Sequence, residues 1–234
     1  WVEGNRIAES APYKLLEAAA QFSHRRRFTD LASLARHPDV EVWLQPQLTE
    51  ALTRQSSREM NRQRRAEDIH TALDLFYNEQ FPARLDPQRV IDIHKEWPAI
   101  HALVNAIDQW LRPITQEKQR LFAWADGLRL VLKNIYGHRI LNTEDTDERY
   151  LLKACEATEE SLESLSLVPP ELEPEITLGE AIRLVLRPLS SAAIPPLPAP
   201  GAVELLGWLE LALDDAPALA VAGVNEGFVP KSTS

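Results

Sequence analysis

The chain has 234 residues, a length of one to two domains at roughly 100–200 residues each. Its 44% hydrophobic and 26% charged content argues against wholesale disorder, and no apolar run reaches the roughly 18 residues a membrane-spanning helix needs. The net charge of −10 is uneven, because residues 1–140 are close to balanced and residues 141–234 hold 5 Lys/Arg against 17 Asp/Glu. An acidic half repels phosphate, which excludes tight nucleic-acid binding by bulk charge alone.

Ala and Leu are abundant and glycine is scarce, so the composition favours helix over sheet. Leu15, Leu16, Ala19 and Phe22 mark a first helix, with Ser10 as N-cap and Pro12 in its first turn. Thr29 and Asp30 are expected to cap a short second helix through Leu31, Leu34 and Ala35, which must stop near His37 because Pro38 follows. Val40, Trp43 and Leu44 begin another short segment. Gln45 to Ser57 is polar and is either loop or a helix broken at Pro46.

Three clear stripes follow: Ile69, Ala72, Leu73, Phe76 and Tyr77; then Ile100, Leu103, Val104, Ile107, Trp110 and Leu111; then Leu121, Trp124, Leu128, Val131, Leu132 and Ile135. Each fits a period of about 3.6 residues. A fourth, on an acidic helix, runs through Leu151, Leu152, Cys155, Leu162 and Leu165. The pattern predicts a mainly α fold, with a helical bundle over residues 1–168.

Eight prolines fall within residues 169–200, so residues 169–201 read as a Pro-rich linker with one helix from about Leu178 to Leu189. Beyond it, Leu219 to Val224 is a continuous apolar run next to glycine, the pattern of a buried parallel strand. Residues 202–234 are therefore expected to start an α/β segment. With Trp1 first and Met60 the sole methionine, the chain reads as a piece of a longer polypeptide.

Catalytic patterns are missing. No phosphate-cradling G-x-x-x-x-G-K-[ST] loop, dinucleotide fingerprint or H-E-x-x-H motif occurs, and no cofactor is expected. Glu67 and His70 have the spacing of one half of a di-iron helix motif, but His94 and His101 lack matching glutamates, so no metal site is expected. Cys155, alone and on an apolar stripe, excludes a disulfide framework and reads as a small buried hydrophobe. Two basic clusters stand out: His24-Arg25-Arg26-Arg27, and Arg58, Arg62, Arg64 and Arg65. Each is either a solvated helix face or a local phosphate contact.

The most specific stretch is Ala218 to Pro230, where a strand ends in Gly223-Val224-Asn225-Glu226-Gly227-Phe228-Val229-Pro230. It resembles the G-x-N-E-G-x-x-P version of motif V in AddB-like, UvrD-related degenerate helicase subunits of the PD-(D/E)XK nuclease superfamily. The segment Leu31 to Leu44, with Arg36-His37-Pro38-Asp39-Val40, and the Gly207-Trp208-Leu209-Glu210-Leu211 stretch are similar to the same group. The likeness covers about 50 residues at the two ends, the helical middle matching in kind alone. Where active relatives carry a Lys-Gly-Leu-Glu element before the strand, this chain has Ala212-Leu213-Asp214-Asp215, as an inactivated motor would.

The resemblance implies that the bundle is the helical insertion of a superfamily 1 helicase-like protein. It also implies a bacterial, cytoplasmic parent that carries a nuclease and acts in DNA repair, with DNA and a helicase motor subunit as partners. Glu226, with Asn225 and Gly227, is the degenerate nucleotide-site candidate, or else the turn shapes the sheet edge or touches DNA. Arg25, Arg26, Arg27, Arg62, Arg64 and Arg65 are the DNA-contact candidates. The competing expectation is an all-α protein–protein interaction module with an acidic docking face.

Overall fold

The computed structural model describes residues 4–54, 68–85, 97–169 and 171–196. Among them are eight α-helices: α1 (Ala11–Arg25), α2 (Phe28–Ala35), α3 (Pro38–Arg54), α4 (Ile69–Gln80), α5 (Pro98–Leu111), α6 (Leu121–Tyr136), α7 (Thr146–Ser166) and α8 (Leu178–Leu189). The fold is a mainly α helical bundle, with two small antiparallel sheets. One pairs β1 (Asn5–Arg6) with β4 (Ala193–Ile194), and the other pairs β2 (Gln119–Arg120) with β3 (Glu175–Ile176).

The apolar stripes of α1, α5 and α6 are buried as expected, with Leu15, Leu16, Phe22, Ile100, Val104, Trp124 and Leu128 in one core. Burial of each such side chain contributes about 1.5–3 kcal/mol, so the stripes outweigh intrinsic helix propensity. Trp110 and Trp124 satisfy their indole N–H groups on the carbonyls of Val131 (3.0 Å) and Ile176 (2.8 Å). Gly127 on α6 allows the 112–114 turn to approach, since a Cβ there would lie 2.8 Å from the carbonyl oxygen of Pro113.

Several local details depart from the sequence expectations. The N-cap of α2 is Arg27, two residues before the expected Thr29, because Phe28 and Leu31 are both needed in the core. Helix α3 continues through Pro46 to Arg54. Proline removes one backbone donor there, and neighbouring packing through Leu44 and Leu48 holds the helix together. Tyr77 leaves the α4 stripe and is 47% exposed.

The buried line of α7 runs through Ala154, Thr158, Ser161, Leu162 and Leu165, while Leu151, Leu152 and Cys155 are only half-buried. Small residues on that line let α8 approach. The hydroxyls are satisfied on carbonyls, Thr158 on Ala154 (2.7 Å) and Ser161 on Val185 of α8 (2.8 Å).

Helix α8 spans Leu178–Leu189 as the sequence predicts, opened by a capping box between Thr177 and Glu180. Its Leu178, Ala181, Ile182, Val185, Leu186 and Leu189 belong to the same core as α1 and α6. The compact unit therefore extends to Pro196 rather than ending at residue 168, since an amphipathic helix this strongly patterned must bury its apolar face. Residues 197–234, including the strand expected at Leu219–Val224, lie outside the described residues.

Candidate functional site

Three of the sequence-derived arginines are described. Arg62, Arg64, Arg65, Asn225, Glu226 and Gly227 lie outside the described residues, as do Arg58 and Glu67. The first cluster sits where α1 ends. His24 and Arg25 occupy its last turn, where the carbonyl end of the helix dipole favours positive charge.

Arg26 closes α1 in the left-handed conformation, φ 52°, and donates its backbone N–H to the Phe22 carbonyl. Its guanidinium grips both carboxylate oxygens of Asp108 on α5, Nη2 to Oδ2 at 3.0 Å, and lies 4.6 Å from the Phe22 ring centroid. This side chain is held, half-buried, against the fold.

Arg27 is placed differently. It forms an antiparallel bridge with Arg84, closed by Leu85 N–H to the Arg26 carbonyl (2.9 Å) and Phe28 N–H to the Ala83 carbonyl (3.3 Å). Those two bonds flank the pair, so Arg27 and Arg84 occupy a position without hydrogen bonds between them, where opposed side chains come closest. Alternation then turns Phe28 and Leu85 into the core and leaves Arg27 and Arg84 exposed on one side. Like charges directly opposite repel. Among the described residues no carboxylate pairs with Arg25, Arg27 or Arg84.

Two grooves share the end of α1. One, about 500 Å³, is lined by His24, Arg25, Arg84, Leu111 and Thr115. The other, about 790 Å³, brings Arg25 to Arg183 and the start of α8, with Glu117 as an opposing charge. Sequence reasoning missed Arg84 and Arg183. Neither belongs to a basic run, and Arg84 is drawn to the cluster by backbone pairing across 57 residues.

The other polar centres are structural. Asp39 in the first turn of α3 accepts Tyr136 Oη at 2.8 Å and the Arg139 guanidinium, fastening α3 to the end of α6. Burial, with the Asp39 charge beside it, holds the Tyr136 phenol far above its usual pKa. Cys155 nearby is pushed up to about 11, chiefly by burial, so it is a neutral thiol rather than a nucleophile at pH 7. His37 is buried, with Nε2 3.0 Å from the Ala11 carbonyl, and burial lowers its pKa. His70 Nε2 lies 3.1 Å from Glu41. Among the described residues no three His, Cys, Asp or Glu side chains gather as metal ligands, and no helix is long and apolar enough to cross a membrane.

The chain matches no protein-family model, no curated protein and no solved structure.

Proposed function

We propose that this chain is a non-catalytic segment of a bacterial DNA-repair helicase–nuclease, and that it guides DNA by phosphate contact where α1 ends. The observation that carries the reading is the Arg27–Arg84 pair. Two exposed arginines are held at directly opposed backbone positions by hydrogen bonds, where like charges repel, and a phosphate bound there would relieve the repulsion. Arg25 and Arg183 extend positive charge along the adjoining grooves. The Gly223-to-Pro230 and Arg36-to-Val40 motifs supply the helicase–nuclease context by resemblance.

With a net charge of −10, the isolated chain should bind weakly, at roughly 10⁻⁴–10⁻⁶ M, and lose affinity steeply as salt rises. Anisotropy titration with labelled DNA at low salt tests this. Reversing Arg27 and Arg84 to glutamate should weaken binding and flatten the salt slope by about 0.7–0.9 for each phosphate no longer neutralised. A flat titration for the unaltered chain would refute the DNA reading.

A second reading, an interaction module that docks a basic partner, is favoured by α7. Its exposed face carries Glu156, Glu159, Glu160 and Glu163. Glu156 and Glu159 are engaged by Lys153 and Arg129, which leaves Glu160 and Glu163 unpaired among the described residues. Charge reversal at Glu160 and Glu163 separates the two readings, since it should improve DNA binding and abolish docking of a basic protein.

A further inference from the structure

Three charged side chains from separate parts of the chain line one cavity of about 790 Å³. Arg25 comes from the last turn of α1, Glu117 from the connection that leads into β2, and Arg183 from the second turn of α8. Arg183 donates Nε to the Gly179 carbonyl at 3.2 Å, which braces its guanidinium against the helix. Among the described residues neither arginine forms an ion pair with Glu117 or with any other carboxylate. The cavity therefore holds two positive groups and one negative group apart.

That separation suits a ligand with an anionic end and an end that donates hydrogen bonds. The start of α8 already holds a carboxylate, because Glu180 closes the capping box with Thr177, so the arginines and not the helix end supply the attraction. Charge then narrows the ligand class. Two guanidinium groups are matched by a dianion, and a phosphate monoester carries about −1.5 to −2 at pH 7. A carboxylate carries a single charge, as does each phosphodiester of a DNA backbone. That backbone also offers acceptors alone, which Glu117 would repel, whereas hydroxyl groups can donate to its carboxylate. Gln116, beside Glu117 in the cavity wall, adds a further donor and acceptor. The volume lies within the range of about 300–1,000 Å³ common for small-molecule sites.

We infer that this cavity binds a small sugar phosphate, its phosphate held by Arg25 and Arg183 and its hydroxyls by Glu117 and Gln116. The inference goes beyond the DNA reading, because Arg27 and Arg84, which carry that reading, do not line this cavity. All three charged side chains are exposed, so water screens each contact and the binding is weak.

Calorimetric titration of the full chain at low salt tests this with three probes: glucose phosphorylated on its primary hydroxyl, inorganic phosphate, and glucose. The ester should bind more tightly than either of its parts. Arg25→Gln and Arg183→Gln should each weaken it by about two- to five-fold, and together by about ten-fold. Glu117→Ala should tighten inorganic phosphate by removing a like charge, and should lower the preference for the ester over phosphate by about three-fold or more. These are surface substitutions, so the melting temperature should stay close to that of the parent and a loss of binding cannot be laid to misfolding. An ester that binds no more tightly than inorganic phosphate would overturn the inference. So would an unchanged affinity in the double arginine variant, or a preference that Glu117→Ala leaves unaltered. Each of these failures leaves the DNA reading in place, since that reading is tested at Arg27 and Arg84.

Discussion

Arg26 and Asp108 lie 82 residues apart in the chain and meet as a two-pronged ion pair, joining the end of α1 to α5. The pair explains why an arginine can hold a left-handed backbone, and why neighbours of identical chemistry have opposite roles. Arg26 points into the fold, whereas Arg25 and Arg27 are exposed.

Substitutions at these positions should separate stability from binding. The half-exposed pair is screened by solvent and contributes about 0.2–1 kcal/mol, and the Phe22 contact adds about 0.5–1 kcal/mol. Arg26→Ala should therefore cost about 1–2 kcal/mol in urea unfolding, and Arg26→Gly less, because glycine tolerates φ 52°. Arg25→Ala should stay within about 0.5 kcal/mol of the parent. Equal losses for Arg25→Ala and Arg26→Ala would contradict this division.

Two glycines should respond with opposite signs. At Gly127 an added Cβ would meet the Pro113 carbonyl oxygen at 2.8 Å, a backbone atom that cannot move aside cheaply, so Gly127→Ala should destabilise by about 1–3 kcal/mol. At Gly179, in the first turn of α8, nothing lies within 4 Å, and alanine should stabilise by up to about 1 kcal/mol through helix propensity. Thermal unfolding of the two variants gives the comparison.

Stability should also depend on pH through His37. Burial lowers its pKa from the usual 6.5, although the Ala11 carbonyl and the Asp39 charge pull the other way. Above pH 6.5 both folded and unfolded states are neutral at this ring and it contributes nothing. As pH falls below 6.5 the unfolded chain takes up a proton that the folded one resists, so stability declines, by up to about 1.4 kcal/mol per pH unit, until the folded pKa is reached. His37→Gln should flatten that window. Asp68 acts in a separate one, because Thr71 donates its backbone N–H and hydroxyl to the carboxylate and lowers its pKa from 3.8. The stability Asp68 supplies is present above pH 3.8 and is lost as pH falls further. Urea titrations carried from pH 8 to well below pH 3.8 should show the two declines, one opening below pH 6.5 and the other below pH 3.8.

The helices that are legible in the sequence are those whose burial follows hydrophobicity. In α1, α5 and α6 the period-3.6 stripe and the core coincide. The sequence misleads on α7, where Thr158 and Ser161 are buried because carbonyls satisfy their hydroxyls, that of Ala154 one turn back for Thr158 and that of Val185 on α8, invisible to local pattern, for Ser161. It misleads on Tyr77 for the converse reason, since an aromatic residue beside a stripe can stack on Phe28 and still face water. The basic cluster at residues 25–27 is visible as composition. Which of its members point inward depends on backbone pairing with Arg84 and on Asp108, and neither partner is signalled by spacing along the chain.

Helix α8 offers the sharpest test of how far the compact unit extends. The proline-rich context of residues 169–200 suggests a helix loose in a linker, yet Val185 and Ala181 are fully buried and the Val185 carbonyl accepts the Ser161 hydroxyl of α7 at 2.8 Å. The segment before α8 is anchored as well. Ile176 receives the Trp124 indole N–H, and Glu173, its carboxylate nearly buried, accepts the Phe122 backbone N–H at the start of α6 at 2.6 Å. Val185→Asp would place an unpaired carboxylate against α1 and α7, and an uncompensated buried charge costs about 3–5 kcal/mol, a large share of the roughly 5–15 kcal/mol of a typical domain. The urea midpoint of the whole bundle, followed by tryptophan fluorescence from Trp110 and Trp124, should fall sharply in one cooperative step. Were α8 a linker helix, the same change would release residues 171–196 to protease and leave the remaining helices folded, with an unaltered midpoint. That second outcome would return the boundary of the compact unit to residue 168.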